Sequence, residues 1–174
     1  GWTVQEREDE NLAKEFHRQT FLQHGIGPGE LILHSDRGPA MVSKTVGNLL
    51  ADLKVTKSHG RPHVSDDNPY SESQFKTLKY HPEFPERFGS IEDARSFCRR
   101  YFHWYNHHHR HSGIGMMTPA SVHEGRAQEV HAARQEVLDR AFQAHPERFP
   151  KGRPKPPAMP GPAWINPPKK ELAA

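Results

Sequence analysis

The sequence predicts an α/β fold, and three features carry that prediction. The apolar run Leu31-Ile32-Leu33-His34 sits between turn signals, as a buried strand does. Val46, Leu49, Leu50 and Leu53 then recur at i, i+3, i+4 and i+7, which puts them on one face of a helix. A second short run, Lys54 to Ser58, follows at once and completes a β-α-β pattern.

The other elements follow in chain order. Gly1-Trp2-Thr3-Val4 reads as the end of a β-strand already under way. From Asp9 to His24, Leu12, Phe16 and Phe21 or Leu22 fall at near-helical spacing, and the cluster Gly25-Ile26-Gly27-Pro28-Gly29 ends that helix. Ser43 is placed to cap the helix of the β-α-β unit. His59 to Asn68 is polar, with Gly60, Pro62 and an Asp-Asp-Asn-Pro turn, and reads as a mobile surface loop. A helix from about Tyr70 to Tyr80 brings Glu72, Phe75, Lys76 and Lys79 onto one stripe. Ser90-Ile91-Glu92-Asp93 resembles a capping box that opens a helix to about Asn106, with Ile91, Ala94, Phe97, Cys98, Tyr101 and Tyr105 as its apolar face. Thr118-Pro119 fits an N-cap followed by an N1 proline, and Val130, Ala133, Val137, Leu138 and Ala141 support a later helix. Pro146 to Pro168, rich in proline with interspersed cations, favours extended polyproline-like chain over a packed element. The expected organisation is a folded core portion over 1–123, a helix over 124–145 and a basic Pro-rich tail over 146–174.

Composition bounds what such a chain can do. Its 174 residues allow one ordinary domain and a tail, and 33% hydrophobic residues imply a small core. A formal charge of +3 with 14 histidines permits a nucleic-acid partner without requiring one. The single cysteine, Cys98, excludes an intramolecular disulfide and a four-thiolate zinc site, and is expected to be a buried small hydrophobe. No apolar run approaches the roughly 20 residues that span a bilayer, so no membrane partner is expected.

Two carboxylates stand out by position. Asp36 follows the first strand and Glu72 lies on a helix, with 35 residues between them. Cleavage and joining of a nucleic-acid backbone uses a pair of divalent metals held by hard oxygen ligands, and an Asp at a strand end with a Glu on an adjoining helix can supply them. Taken singly, Asp36 is an ordinary turn residue and Glu72 an ordinary solvated one. The histidines at 107–109, with His103 and His111 nearby, could suggest a transition-metal site. Consecutive residues point in different directions, however, so the run does not readily share one metal.

The blocks around these residues resemble the insertion-sequence family-three transposases of the retroviral-integrase superfamily. They are His34-Ser35-Asp36-Arg37-Gly38, then Asp67-Asn68-Pro69-Tyr70-Ser71-Glu72-Ser73-Gln74-Phe75-Lys76-Thr77-Leu78-Lys79. Tyr105-Asn106-His107-His108-His109-Arg110-His111-Ser112-Gly113-Ile114-Gly115, Thr118-Pro119, Pro146-Glu147-Arg148-Phe149 and Trp164-Ile165-Asn166 extend the likeness. The resemblance implies a ribonuclease-H-like integrase core and catalysis of DNA transposition with two Mg²⁺ or Mn²⁺ ions. Asp36 and Glu72 become catalytic metal ligands, and Lys76, Lys79, Arg110 and His111 become DNA contacts. Element ends and target DNA are the implied partners, with the complete enzyme a homo-oligomer at a cytoplasmic, nucleoid-associated location. The family's first catalytic aspartate precedes a Gly-Trp-x-Val-like segment, and this sequence begins at such a segment. The expectation is therefore an N-terminally truncated core whose first strands are missing and which is inactive alone. The alternative function is a non-catalytic DNA-binding or regulatory remnant of a transposase.

Overall fold

A computed structural model describes residues 1–61 and 67–162. The described residues divide after Ser96 into two compact units, each with its own buried centre. The expected loop between His59 and Asn68 falls largely on residues 62–66, and the Trp164-Ile165-Asn166 block on the end of the chain; both lie outside the described residues.

In the first unit, α1 (Glu10–Gln23) begins where Asp9 Oδ1 accepts the N–H groups of Asn11 and Leu12, at 2.9 and 3.2 Å. Its end is a Schellman turn. Gly25 takes φ +62°, and Ile26 N–H reaches back to the Phe21 carbonyl at 3.0 Å. Strand β1 (Ile32–Ser35) leads through a short helix, α2 (Pro39–Val42), into α3 (Lys44–Asp52), and β2 (Thr56–His59) returns beside β1. The strands pair in parallel with Ile32 opposite Thr56 and Ser35 opposite His59. This is the β-α-β unit the periodicity predicts, and Ser43 caps α3 as expected, its Oγ accepting Val46 N–H at 3.2 Å. The α2 turn was not foreseen.

Phe21, Val46, Leu50 and Val55 form the buried centre, with Ala13, Ile26, Leu31, Leu33 and Leu53 packed around them. Apolar side chains from α1, α3, β1 and the residues flanking the strands, Leu31 and Val55, thus leave water together, which is the main force holding the unit. At the end of α3, Lys54 occupies the left-handed region at φ 53°, where Gly25 serves α1. Val55 N–H still closes the turn onto the Leu50 carbonyl at 2.8 Å.

Two expectations need correcting here. Gly1 to Val4 is not a strand: no neighbouring strand pairs with it among the described residues, and the Val4 carbonyl instead accepts from Arg95 Nε at 3.2 Å. A strand needs a partner to satisfy its backbone, and a run of residue types cannot reveal one. Cys98 is half-buried rather than buried, although burial still pushes its thiol pKa up.

Helix α4 (Pro69–Lys79) has no buried residue. Helix α5 (Ile91–His107) starts with Asp93 N–H donating to Ser90 Oγ at 3.1 Å, one half of the expected capping box. In the second unit Phe97, Tyr101, Met117 and Ala120 are buried. A short bridge pairs His111 with Met117, and Thr118 caps α6 (Pro119–His123) through its hydroxyl and Ser121 N–H. Helix α7 (Ala127–Ala144) follows. The proline-rich segment does not run free along its described part. Pro146–Arg148 is a 3-10 turn, Arg153 pairs with Asp139, the Pro154 carbonyl accepts from Gln135, and Pro156 is buried. Polar side chains on α7 satisfy the strap's groups, so it packs where composition alone suggested extended chain.

Candidate functional site

Asp36 stands at the C-terminal end of β1, exposed. Its Oδ1 accepts Gly38 N–H at 3.0 Å, an Asx turn that fixes one carboxylate oxygen. Its backbone is fixed as well, since the Asp36 carbonyl accepts from His59 Nδ1 at 3.0 Å and from Ser35 Oγ at 3.0 Å. His59 reaches this carbonyl because the parallel register sets it opposite Ser35.

Glu72 lies in the first turn of α4, exposed, and Lys76 and Lys79 are exposed on the last turns of the same helix. The carboxylate at the N-terminus and the lysines near the C-terminus both match the helix dipole. His34 links this helix to the strand that carries Asp36. Its Nε2 donates to the Asp67 carbonyl at 2.8 Å, and its Nδ1 lies 3.0 Å from Ser58 Oγ on β2. A carbonyl can only accept, so Nε2 carries the proton and, in the neutral ring, Nδ1 accepts from the Ser58 hydroxyl.

The side chain of Asp67 completes the junction. It is 4% exposed and accepts Arg61 N–H at 2.6 Å, Arg61 Nε at 2.9 Å and Arg61 Nη2 at 2.9 Å. These charge-assisted bonds make Asp67 a structural clamp where the turn signal in the sequence suggested only a loop. Glu8 is a second residue the sequence did not single out. Its Oε1 accepts Ala40 N–H at 3.0 Å, supplying the start of α2 with the cap that Gly38 cannot. A Cβ placed on Gly38 would lie 3.2 Å from Asp36 Oδ1 and 3.4 Å from Glu8 Oε1, so the two carboxylates are near neighbours. A single acidic residue in the Glu6-Arg7-Glu8-Asp9-Glu10 stretch gives no sign of a partner 32 residues away. Asp9, by contrast, caps α1 through its Oδ1.

Arg110 and His111 belong to the second unit. Arg110 lines an apolar groove of about 600 Å³ with Val130, Val137, Leu138 and Pro156. His111 Nδ1 accepts Gly113 N–H at 3.0 Å, a local turn bond. The structure thus connects the Asp36 and Glu72 segments through His34. Among the described residues it gathers no set of three or more His, Cys, Asp or Glu side chains in metal-holding geometry. The hard carboxylate oxygens of Asp36 and Glu72, both exposed, are the donor type that a hydrated Mg²⁺ or Mn²⁺ accepts.

Two comparisons with known proteins find similarity. Residues 53–119, which contain Glu72, Lys76, Lys79, Arg110 and His111, match the integrase core domain family. The chain is also 33% identical over 98 residues to the insertion element IS600 uncharacterized 31 kDa protein of Shigella sonnei, across 56% of this chain and 36% of that protein. Residues 53–119 are thus similar to an integrase core domain, and the match to the insertion-element protein spans about a third of that protein's length. No solved structure matches it. No helix among the described residues is long and apolar enough to cross a membrane.

Proposed function

We propose that this chain serves DNA transposition, as the part of a transposase that presents Asp36 and Glu72 for metal-dependent cleavage and joining of DNA phosphodiesters. The observation that carries this reading is the His34–Asp67 hydrogen bond, which joins the strand end before Asp36 to the entry of the helix bearing Glu72. In this reading the small parallel β-α-β unit is a portion of a ribonuclease-H-like core extending over 1–123, with 124–145 and 146–174 as appended helix and tail.

Asp36 and Glu72 would hold Mg²⁺ or Mn²⁺, two ions in the complete site. Bound there, such ions activate an attacking hydroxyl and stabilise the leaving oxygen. The protein's own part is positional. The Asx turn holds Asp36, and Glu72 sits early on its helix, close to the Asp67 clamp. Lys76 and Lys79, on the same exposed helix, provide positive charge for the DNA backbone, and Arg110 and His111 are assigned as further contacts. The matching motifs supply two of the three carboxylates such chemistry uses, so the chain by itself is taken to be inactive. A multimer on element ends and target DNA completes the proposal.

The test uses the uninterrupted reading frame that contains residues 1–174, assayed for Mn²⁺-dependent strand cleavage and transfer on DNA carrying the element's ends. Asp36→Asn and Glu72→Gln should each abolish product and leave DNA binding intact. Lys79→Ala should weaken binding and lower the salt slope by about 1. Product that persists in Glu72→Gln refutes the assignment. Salt-sensitive DNA binding with no metal-dependent product would establish the non-catalytic, regulatory reading instead.

A further inference from the structure

The histidines around the end of α5 sort into two groups. His109 is half-buried against Trp104 and Tyr105, with ring centroids 5.0 and 5.1 Å away, and burial, aided by nearby His111, pushes its pKa down. His111 is held by its turn bond to Gly113. His103, His107 and His108 are all exposed.

Residues four apart on a helix stand one above the other, and His103 and His107 are such a pair. Their ring centroids are 4.9 Å apart and the planes are inclined by 38°. His108 follows where the chain leaves the helix, its N–H closing onto the Trp104 carbonyl at 2.8 Å, and this brings its ring centroid to 5.7 Å from that of His103. The consecutive run is therefore not the relevant set. A pair one turn apart places the two imidazoles of His103 and His107 together at the helix end.

We propose that His103 and His107 chelate a divalent transition ion of the Zn²⁺, Ni²⁺ or Cu²⁺ class, with water completing its coordination. Imidazole nitrogens suit these ions and do not suit Mg²⁺, so the site is chemically separate from the carboxylates at Asp36 and Glu72. Two histidines at i and i+4 can meet one zinc at Zn–N distances of about 2.0–2.1 Å. Exposed side chains reach that distance by turning their rings, without movement of the helix backbone. Negative charge stands close by. The Glu124 carboxylate, held low chiefly by its hydrogen bond from Arg126, also interacts electrostatically with His107. A bound ion would clamp the last turn of α5, which holds both histidines.

Isothermal titration of the full chain with ZnCl₂ tests the site. The expected result is one Zn²⁺ per chain, undisturbed by excess Mg²⁺, with His103→Ala and His107→Ala each weakening binding at least about tenfold. His145→Ala, another exposed histidine, should leave it unchanged. Far-ultraviolet circular dichroism should match the wild type in every variant, since none of these side chains is buried. Cu²⁺ electron paramagnetic resonance should show at least two coordinating imidazole nitrogens, falling by one in His103→Ala. Binding spread over several sites, or unchanged in both His103→Ala and His107→Ala, overturns the proposal.

Discussion

Replacing His34 with alanine separates the fastening of α4 from the stability of the core. His34 makes two side-chain hydrogen bonds, to the Asp67 carbonyl and to Ser58, and touches none of the four residues at the buried centre by hydrogen bonding. A net contribution of about 0.5–1.5 kcal/mol per bond gives a cost of about 1–3 kcal/mol, and the half-burial of His34 places it in the lower part of that range, about 1–2 kcal/mol. At about 1.4 kcal/mol per factor of ten, the opening of α4 should become roughly 5- to 30-fold more frequent. Native-state hydrogen exchange read by mass spectrometry would show this as faster exchange at Phe75 and Lys76. Exchange at Val46 and Leu50, which are 0% and 1% exposed, should change much less. Equal acceleration in α3 and α4 would mean that His34 supports the whole unit. Unchanged α4 exchange would mean that the bond does not fasten the helix at all. Either result removes the observation on which the Asp36–Glu72 pairing leans.

Other expectations concern single residues. Lys54→Gly should stabilise the chain by about 1 kcal/mol in urea unfolding, because a left-handed residue at the end of α3 is relieved of its Cβ. Gly115→Ala should destabilise it by more than about 1 kcal/mol: the residue sits at φ +64°, and an added Cβ would lie 2.5 Å from the Ala158 carbonyl, so thermal unfolding should shift down. His17 is buried, with Met41 Sδ 3.5 Å from its Nε2, and burial lowers its pKa from 6.5. The folded state then binds this proton less readily than the unfolded state. Its effect is absent well above pH 6.5, and stability falls as the pH drops below 6.5 toward the depressed value. His17→Phe should show a smaller loss than the wild type between about pH 7.5 and pH 5.5 in urea titrations. Equal losses would refute the assignment.

Much of the fold was legible because it rests on local rules. Helical spacing found α1, α3, α5 and α7, and the side-chain oxygens of Asp9, Ser43 and Thr118 marked helix starts that the structure reproduces. The parallel pairing of β1 and β2 follows from a helix lying between two short strands. What escaped depends on distant partners. The cap from Glu8 to α2, the clamp of Arg61 on Asp67, and the bridge from His34 to Asp67 each join residues whose neighbours in sequence give no sign of the other. Gly1 to Val4 failed for the same reason in reverse, since an extended-looking segment found no strand beside it among the described residues. Positions and spacing singled out Asp36 and Glu72, while the contacts that hold their segments were visible only in three dimensions.

The fastening of α4 at its first end has a mechanical meaning. With a rise of about 1.5 Å per residue, Glu72 lies roughly 5 Å along the axis from Pro69 and Lys79 about 15 Å. A tilt of about 10° about that end would displace the glutamate by under about 1 Å and the lysine by about 2.6 Å. The helix is then a pointer with its carboxylate at the pivot and its cations at the tip. If the proposed function holds, the tip can sweep to meet an irregular phosphate backbone while the carboxylate at the pivot barely moves.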